Sequence, residues 1–389
     1  MTKMTFALAL TSVLTACSVD YELSGDRPDV NPGDVTECPF TQLEGTDLFE
    51  YDCNPVFTST DEDWGGDVGS VGFYATDVMG HPFYQMWYTS SSTDQFGSFG
   101  MGYAISSDGT NWDTHPNNPL FEADPNAWDK DSVAGQVIVW DPIEKEYVMA
   151  YQGFTLGTGE FDWDTLEIDE GTWGIGVATS PDGISWTKSS RNPVINFTED
   201  FDPFSSEISP CWPLTITLNN RGAFRGYIAA TKTEEALLGE AACHIYAMNG
   251  VDAETWMIDD SEPVFEAGTG YDRMGFTSAS VVELGNTQYM FYTAFTDWLQ
   301  FDGYQIAADI TVNLATSTDD GATWVRDANN PLPISTTGVA SSVAAQVIGD
   351  RVHIWLTDQF DGQSAIGYFL YEPEVTESTE SSEDTETAE

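Results

Sequence analysis

Positive charge is what this sequence has least of. Its 389 residues carry 12 Lys and Arg against 64 Asp and Glu, a formal net charge of −52. Phosphate backbones are gripped by clustered cations, so no nucleic-acid partner is expected, nor any polybasic contact with an anionic membrane surface. Histidine is scarce: His81, His115, His244 and His353 are the full set, and no two have zinc-ligand spacing. No Cys-x-x-Cys pair, G-x-S-x-G elbow, Walker loop or dinucleotide fingerprint occurs. Apolar runs are too short to span a bilayer as a stable helix, and no useful amphipathic helix is apparent. The acidic excess reads as a solubility coat. Its carboxylates also admit a structural calcium ion, while no motif requires a cofactor and the metal content stays open.

Aromatic residues (13%), 34 Gly and 18 Pro are what the chain has in quantity, a composition suited to many short strands and tight turns. One pattern recurs: an alternating strand with a Tyr, a small-residue strand, an Asp-Gly turn, a Trp and an Asn-Pro. The clear copies cover 100–121, 174–195 and 312–334, with a degenerate one at 245–265. Trp112, Trp186, Trp256 and Trp324 follow one another at intervals of 74, 70 and 68 residues. Upstream lie the segments 82–90, 145–153, 224–232 and 287–295, and a last half-copy spans 351–372. Their period-two alternation predicts strands, and Asp-Gly favours hairpin turns because both residues tolerate positive φ. A period of about 70 residues with several strands per copy predicts propeller blades. The expectation is an all-β, five-bladed β-propeller with antiparallel blades over residues 37–374.

The run Ser317, Asp319, Gly321, Thr323, Trp324 matches the Asp-box of sialidases, a structural hairpin rather than an active site. Only seven Arg are present, none in a sialidase signature. The longer pattern, a small strand, S-x-D-G-x-x-W and then N-P-hydrophobic, resembles the five-bladed glycosidases: glycoside hydrolase families 43, 32 and 68 and the mannoside phosphorylases. That resemblance implies a blade-one Asp as base or nucleophile, a blade-three Glu as acid and a blade-two Asp that tunes it. Counting back from each second-strand Tyr, Asp67 lies 17 residues before Tyr84, Asp131 lies 16 before Tyr147, Asp272 lies 17 before Tyr289, and Glu207 lies 20 before Tyr227. By position, Asp67, Glu207 and Asp131 are the catalytic candidates. Two carboxyls in different protonation states are what glycoside cleavage needs, and a third can raise the acid's pKa by like-charge repulsion.

Asp272 is a further candidate for a substrate or metal contact. Trp64, Trp128, Trp212 and Trp298 lie near the presumed blade mouths as sugar-stacking platforms. The resemblance also suggests His353 of blade five as a residue near a central ion. Two departures stand out. Blade one lacks the W-x-N-D-P-N-G signature, and Glu207 is followed by Ile-Ser-Pro210-Cys211 rather than directly by Gly-Pro or Cys-Pro. The reading is therefore a glycoside hydrolase acting on a polysaccharide or oligosaccharide, with a non-catalytic propeller lipoprotein that binds glycan or protein as the alternative.

Residues 1–17 read as an export signal, and Leu14-Thr15-Ala16-Cys17 resembles the bacterial lipobox, which implies lipidation of Cys17. With Ser18 following, the resemblance implies an outer-membrane lipoprotein, periplasmic or at the cell surface, held to the membrane only through its N-terminal lipid. Residues 18–36 read as a flexible tether and 375–389 as a disordered acidic tail. Cys38, Cys53, Cys211 and Cys243 allow three pairings. Proximity favours Cys38–Cys53 and Cys211–Cys243 in an oxidising compartment. Carbohydrate is the expected partner and a monomer the expected state.

Overall fold

The computed structural model describes residues 38–58, 68–78, 81–91, 99–156, 161–162, 167–168, 171–197, 208–218, 223–232, 242–259, 262–301, 304–334, 342–360 and 363–373. Every regular element among them is a strand. The strands form five antiparallel blades in a ring. Blade one is Val68–Val78, His81–Ser91, Phe99–Ser106 and Asp113–Thr114; blade two is Ser132–Asp141, Glu146–Leu156, Gly171–Ser180 and Thr187–Lys188. Blade three is Ile208–Leu218, Phe224–Lys232, His244–Asp252 and Thr255–Ile258; blade four is Gly275–Leu284, Thr287–Phe295, Thr311–Ser317 and Val325–Arg326.

Blade five is built from both ends of the chain. Ser342–Ile348, Arg351–Phe360 and Gln363–Tyr371 are its first three strands, and Leu48–Tyr51 pairs against Gln363–Tyr371 as the fourth, with Phe40–Gln42 outside it. The sequence pattern does not show this closure, because the N-terminal strands come nearly a whole chain before the strand they complete. It has a physical purpose: it covers a sheet edge that would otherwise present unpaired backbone groups.

The Asp-Gly turns fold as the sequence predicts. Ser106 Oγ accepts the N–H groups of Asp108 and Gly109, and Asp108 Oδ1 accepts those of Thr110 and Asn111 at 2.8 and 2.7 Å. Ser180 with Asp182, and Ser317 with Asp319, repeat the arrangement. Burial would raise the Asp108 and Asp182 carboxyls, but the hydrogen bonds they accept bring both below the usual range. Gly109, Gly183 and Gly321 take φ of 76°, 76° and 72°, the left-handed region that glycine enters freely.

These turns also stitch the blades together. Trp87 of blade one donates its indole N–H to Gly183 O of blade two at 2.7 Å. Trp355 of blade five approaches Gly109 O of blade one at 3.4 Å, and Arg225 of blade three donates to Gly321 O of blade four at 2.9 Å. Serines seal the inner strands in the same sense. Gly135 N–H donates to Ser70 Oγ, Val71 N–H to Ser342 Oγ, and Val343 and Ala345 N–H to Ser278 and Ser280 Oγ. Between blades lie apolar layers such as Phe73 stacked on Trp355, with ring centroids 4.2 Å apart. Each fully buried side chain of this size contributes about 2–3 kcal/mol. Both disulfides, Cys38–Cys53 and Cys211–Cys243, are formed. They suit an extracellular or exported setting, and no helix among the described residues is long and apolar enough to cross a membrane.

Candidate functional site

The first strand of each blade lies at the sheet edge nearest the axis, and the five together enclose a channel. A cavity of about 300 Å³ opens there, lined by Tyr74, Trp140, Thr215, Glu283, Gln346 and their neighbours. All of these lie in the later part of a first strand, so the five first strands run the same way and the cavity occupies the end where they finish. The first strands begin at the other end. Blades one, two and three open at Val68, Ser132 and Ile208, the residues that follow Asp67, Asp131 and Glu207 in the chain. The corresponding chain neighbours in blades four and five are Met274 and Ser341. Asp67, Glu207 and Trp64 lie outside the described residues, as does the side chain of Trp212, and so do Cys17 and the 1–36 segment.

Asp131 is described, and its surroundings are specific. Its N–H donates to Phe154 O at 3.1 Å, and the side chain is half-buried. Two residues earlier, Asp129 is fully buried. Its Oδ2 accepts from Lys188 Nζ at 2.6 Å and from the Tyr151 hydroxyl at 3.1 Å, while Oδ1 has no hydrogen-bond partner. Lys188 also donates to Glu122 O at 2.8 Å and lies over the rings of Phe121 and Tyr151. Burial, then the charge of Asp129, push the Tyr151 phenol well above its usual range, so it stays a donor. Trp128 packs near Tyr151 and close against Gly153, where a Cβ would meet the indole at 2.3 Å; its carbonyl accepts from Thr155 Oγ1 at 2.5 Å. Trp128, Asp129 and Asp131 are thus held as one rigid corner.

Blade four repeats the corner. Asp272 is buried, and its Oδ2 accepts from Arg326 Nε at 2.8 Å and Nη2 at 2.6 Å. Arg326 also donates to Glu266 O and lies over the Phe265 ring, and Met274 N–H donates to Phe295 O. Asp272 therefore matches Asp129, and Met274 matches Asp131. This corrects the sequence alignment, which set Asp272 beside Asp131. The error comes from the turn joining the first two strands, which is shorter in blade four (Leu284 opposite Thr287) than in blade two (Asp141 opposite Glu146). It is offset by one residue, because Tyr147 stands opposite the Asp-box serine Ser180, whereas in blade four Gln288, not Tyr289, stands opposite Ser317.

Trp298 sits on a hairpin, Asp297–Phe301 with Tyr304–Ala308, inserted between the second and third strands of blade four. Its ring meets Phe295 edge-on at 4.7 Å and is half-buried in the core between blades four and five. His353 lies on the second strand of blade five, one strand away from the channel. It bonds the Tyr368 hydroxyl at 2.5 Å through Nδ1 and stacks on Trp355, so the expectation of a central-ion role is replaced by a core packing role. Burial, helped by the charge of Arg351, lowers its pKa to about 4. Among the described residues, no three His, Cys, Asp or Glu side chains gather as a metal site.

No protein-family model and no curated protein sequence matches the chain. Solved structures do. A glycosyl hydrolase from Bacteroides ovatus superposes with a TM-score of 0.57 at 17% identity, over 86% of this chain and 94% of the other. The β-1,2-mannobiose phosphorylase of Listeria innocua, in complex with β-1,2-mannobiose, gives 0.53 at 11% identity over 84% and 96%. A thermostable family-43 glycoside hydrolase gives 0.51 at 11% over 78% and 88%. The chain therefore has the five-bladed propeller fold of these carbohydrate-active enzymes, and the resemblance read from its repeats holds at the level of the fold.

Proposed function

We propose that the protein is a glycoside hydrolase whose reaction takes place at the channel end where the inner strands begin. Asp67 acts as base or nucleophile, Glu207 as the acid and Asp131 as the carboxylate that tunes Glu207, with Trp128 as a sugar-stacking face. The observation that carries this reading is that the inner strands of three successive blades each open on the residue after a candidate acid. The propeller hydrolases of the same fold add support, and one of its structural relatives is a β-1,2-mannobiose complex. Asp272, drawn into its pair with Arg326, has no substrate role in this proposal. The test is reducing-sugar release by the purified protein from arabinan, xylan, fructan, mannan and algal polysaccharides, with Asp67→Asn alongside. Release that disappears in the variant supports the reading.

The second reading is a non-catalytic glycan- or protein-binding propeller. It is favoured by the departure around Glu207, where the following Cys211 is tied to Cys243. No release by folded protein on any substrate, with retention on a glycan array, would select it. In either case Cys17 is proposed as the lipid-bearing residue of an exported, outer-membrane protein. Loss of membrane-fraction association in Cys17→Ala tests that anchor.

A further inference from the structure

We infer that the buried pair Asp129–Lys188 is a positioning device for Asp131 and Trp128; this rests on the proposed hydrolase reading. The segment from Phe121 to Asp131 carries the chain from the outer edge of blade one to the inner strand of blade two. Lys188, on the last strand of blade two, reaches across it and holds it at both ends, bonding Glu122 O at 2.8 Å and Asp129 Oδ2 at 2.6 Å. Thr155 fixes the Trp128 carbonyl, and Phe154 O fixes the Asp131 N–H. The segment is therefore pinned at four points within ten residues, and those points bracket the proposed tuning acid and stacking ring.

Such a clamp is costly unless position matters. A carboxylate with no exposed surface must recover its desolvation through its partners, and Asp129 leaves one oxygen without any. A hydrophobic filling of the same volume would hold a linker as well. What a charged, directional clamp adds is a fixed orientation. Reactions that depend on near-attack geometry lose about a hundredfold for a displacement of roughly 1 Å.

The molecule contains its own control. Arg326 clamps the linker between blades three and four in the same way, through Glu266 O, Asp272 and the Phe265 ring. There the position of Asp131 is occupied by Met274, which carries no carboxylate. Both clamps stabilise, but only the Lys188 clamp holds a group with chemistry to do.

The experiment compares wild type, Lys188→Met, Lys188→Arg and Arg326→Met by reducing-sugar release from the five polysaccharide substrates named above, with thermal melting of each. We expect both methionine variants to lower the melting temperature. Lys188→Met alone should lower kcat, by about ten- to a hundredfold, with KM within about twofold, and should move the alkaline limb of the pH–rate profile, the limb set by the general acid that Asp131 tunes. Lys188→Arg should restore most of kcat. Equal loss of kcat in Lys188→Met and Arg326→Met, or unchanged kcat in a destabilised Lys188→Met, would overturn the inference while leaving the hydrolase reading intact. No turnover by wild type would remove both.

Discussion

Asn54 grips the backbone of Tyr368 from 314 residues away: its Oδ1 accepts the Tyr368 N–H at 2.8 Å and its Nδ2 donates to the Tyr368 carbonyl at 3.2 Å. Asn118 holds Tyr103, Asn192 holds Val177 and Asn330 holds Leu314 in the same two-bond manner, each within 15 or 16 residues. Asn54-Pro55 is thus the Asn-Pro of blade five, delivered from the other end of the chain.

Asn54→Ala should destabilise the protein by about 1–3 kcal/mol, because it removes two hydrogen bonds and leaves the Tyr368 amide unmatched beneath the closing strand. Urea unfolding measures this. A loss below about 0.3 kcal/mol would show that strand pairing alone closes the ring.

Opening the Cys38–Cys53 bridge should also act on closure. It joins cysteines 15 positions apart across the hairpin that leads into Asn54. Cys38→Ser with Cys53→Ser should cost about 3 kcal/mol through the freed unfolded chain, read as a lower denaturant midpoint with a steeper slope, since the unlinked unfolded chain exposes more surface.

Gly183→Ala tests the stitch between blades one and two. At φ of 76° an added Cβ would meet Trp87 Cζ2 at 2.8 Å, in a place where an L side chain is already strained. About 2–4 kcal/mol should be lost, whereas Gly285→Ala, also at positive φ but with open space around it, should lose only the backbone part.

His353 sets a pH dependence. Its pKa in the folded chain is about 4, below the ordinary value near 6.5. Above about pH 6.5 both states are neutral there and the group costs nothing. As pH falls from about 6.5 toward 4, the unfolded chain takes up a proton that the folded one refuses, and stability falls by up to roughly 3 kcal/mol. The difference in unfolding free energy between wild type and His353→Gln, measured from pH 7 to 4, should shrink steadily with falling pH. A constant difference would contradict a neutral imidazole in the folded chain.

The sequence by itself determined the blade. Ser180, Asp182, Gly183 and Trp186 fold into one turn because the bonds that shape it lie within a few residues, and the alternation of segments such as 287–295 marks the strand. Such local, repeated chemistry is legible without a structure. The tertiary structure decided what depends on distant partners. Strands 40–42 and 48–51 belong to blade five because a ring must cover its last edge. Asp129 is tied to Lys188 and Asp272 to Arg326 across 59 and 54 residues, and turns of unequal length decide which carboxylate falls at the start of an inner strand. Counting residues along a chain measures contour length, whereas a site is assembled by register and by packing between blades. The blades could therefore be read from the sequence, and the corner that holds Asp131 could not.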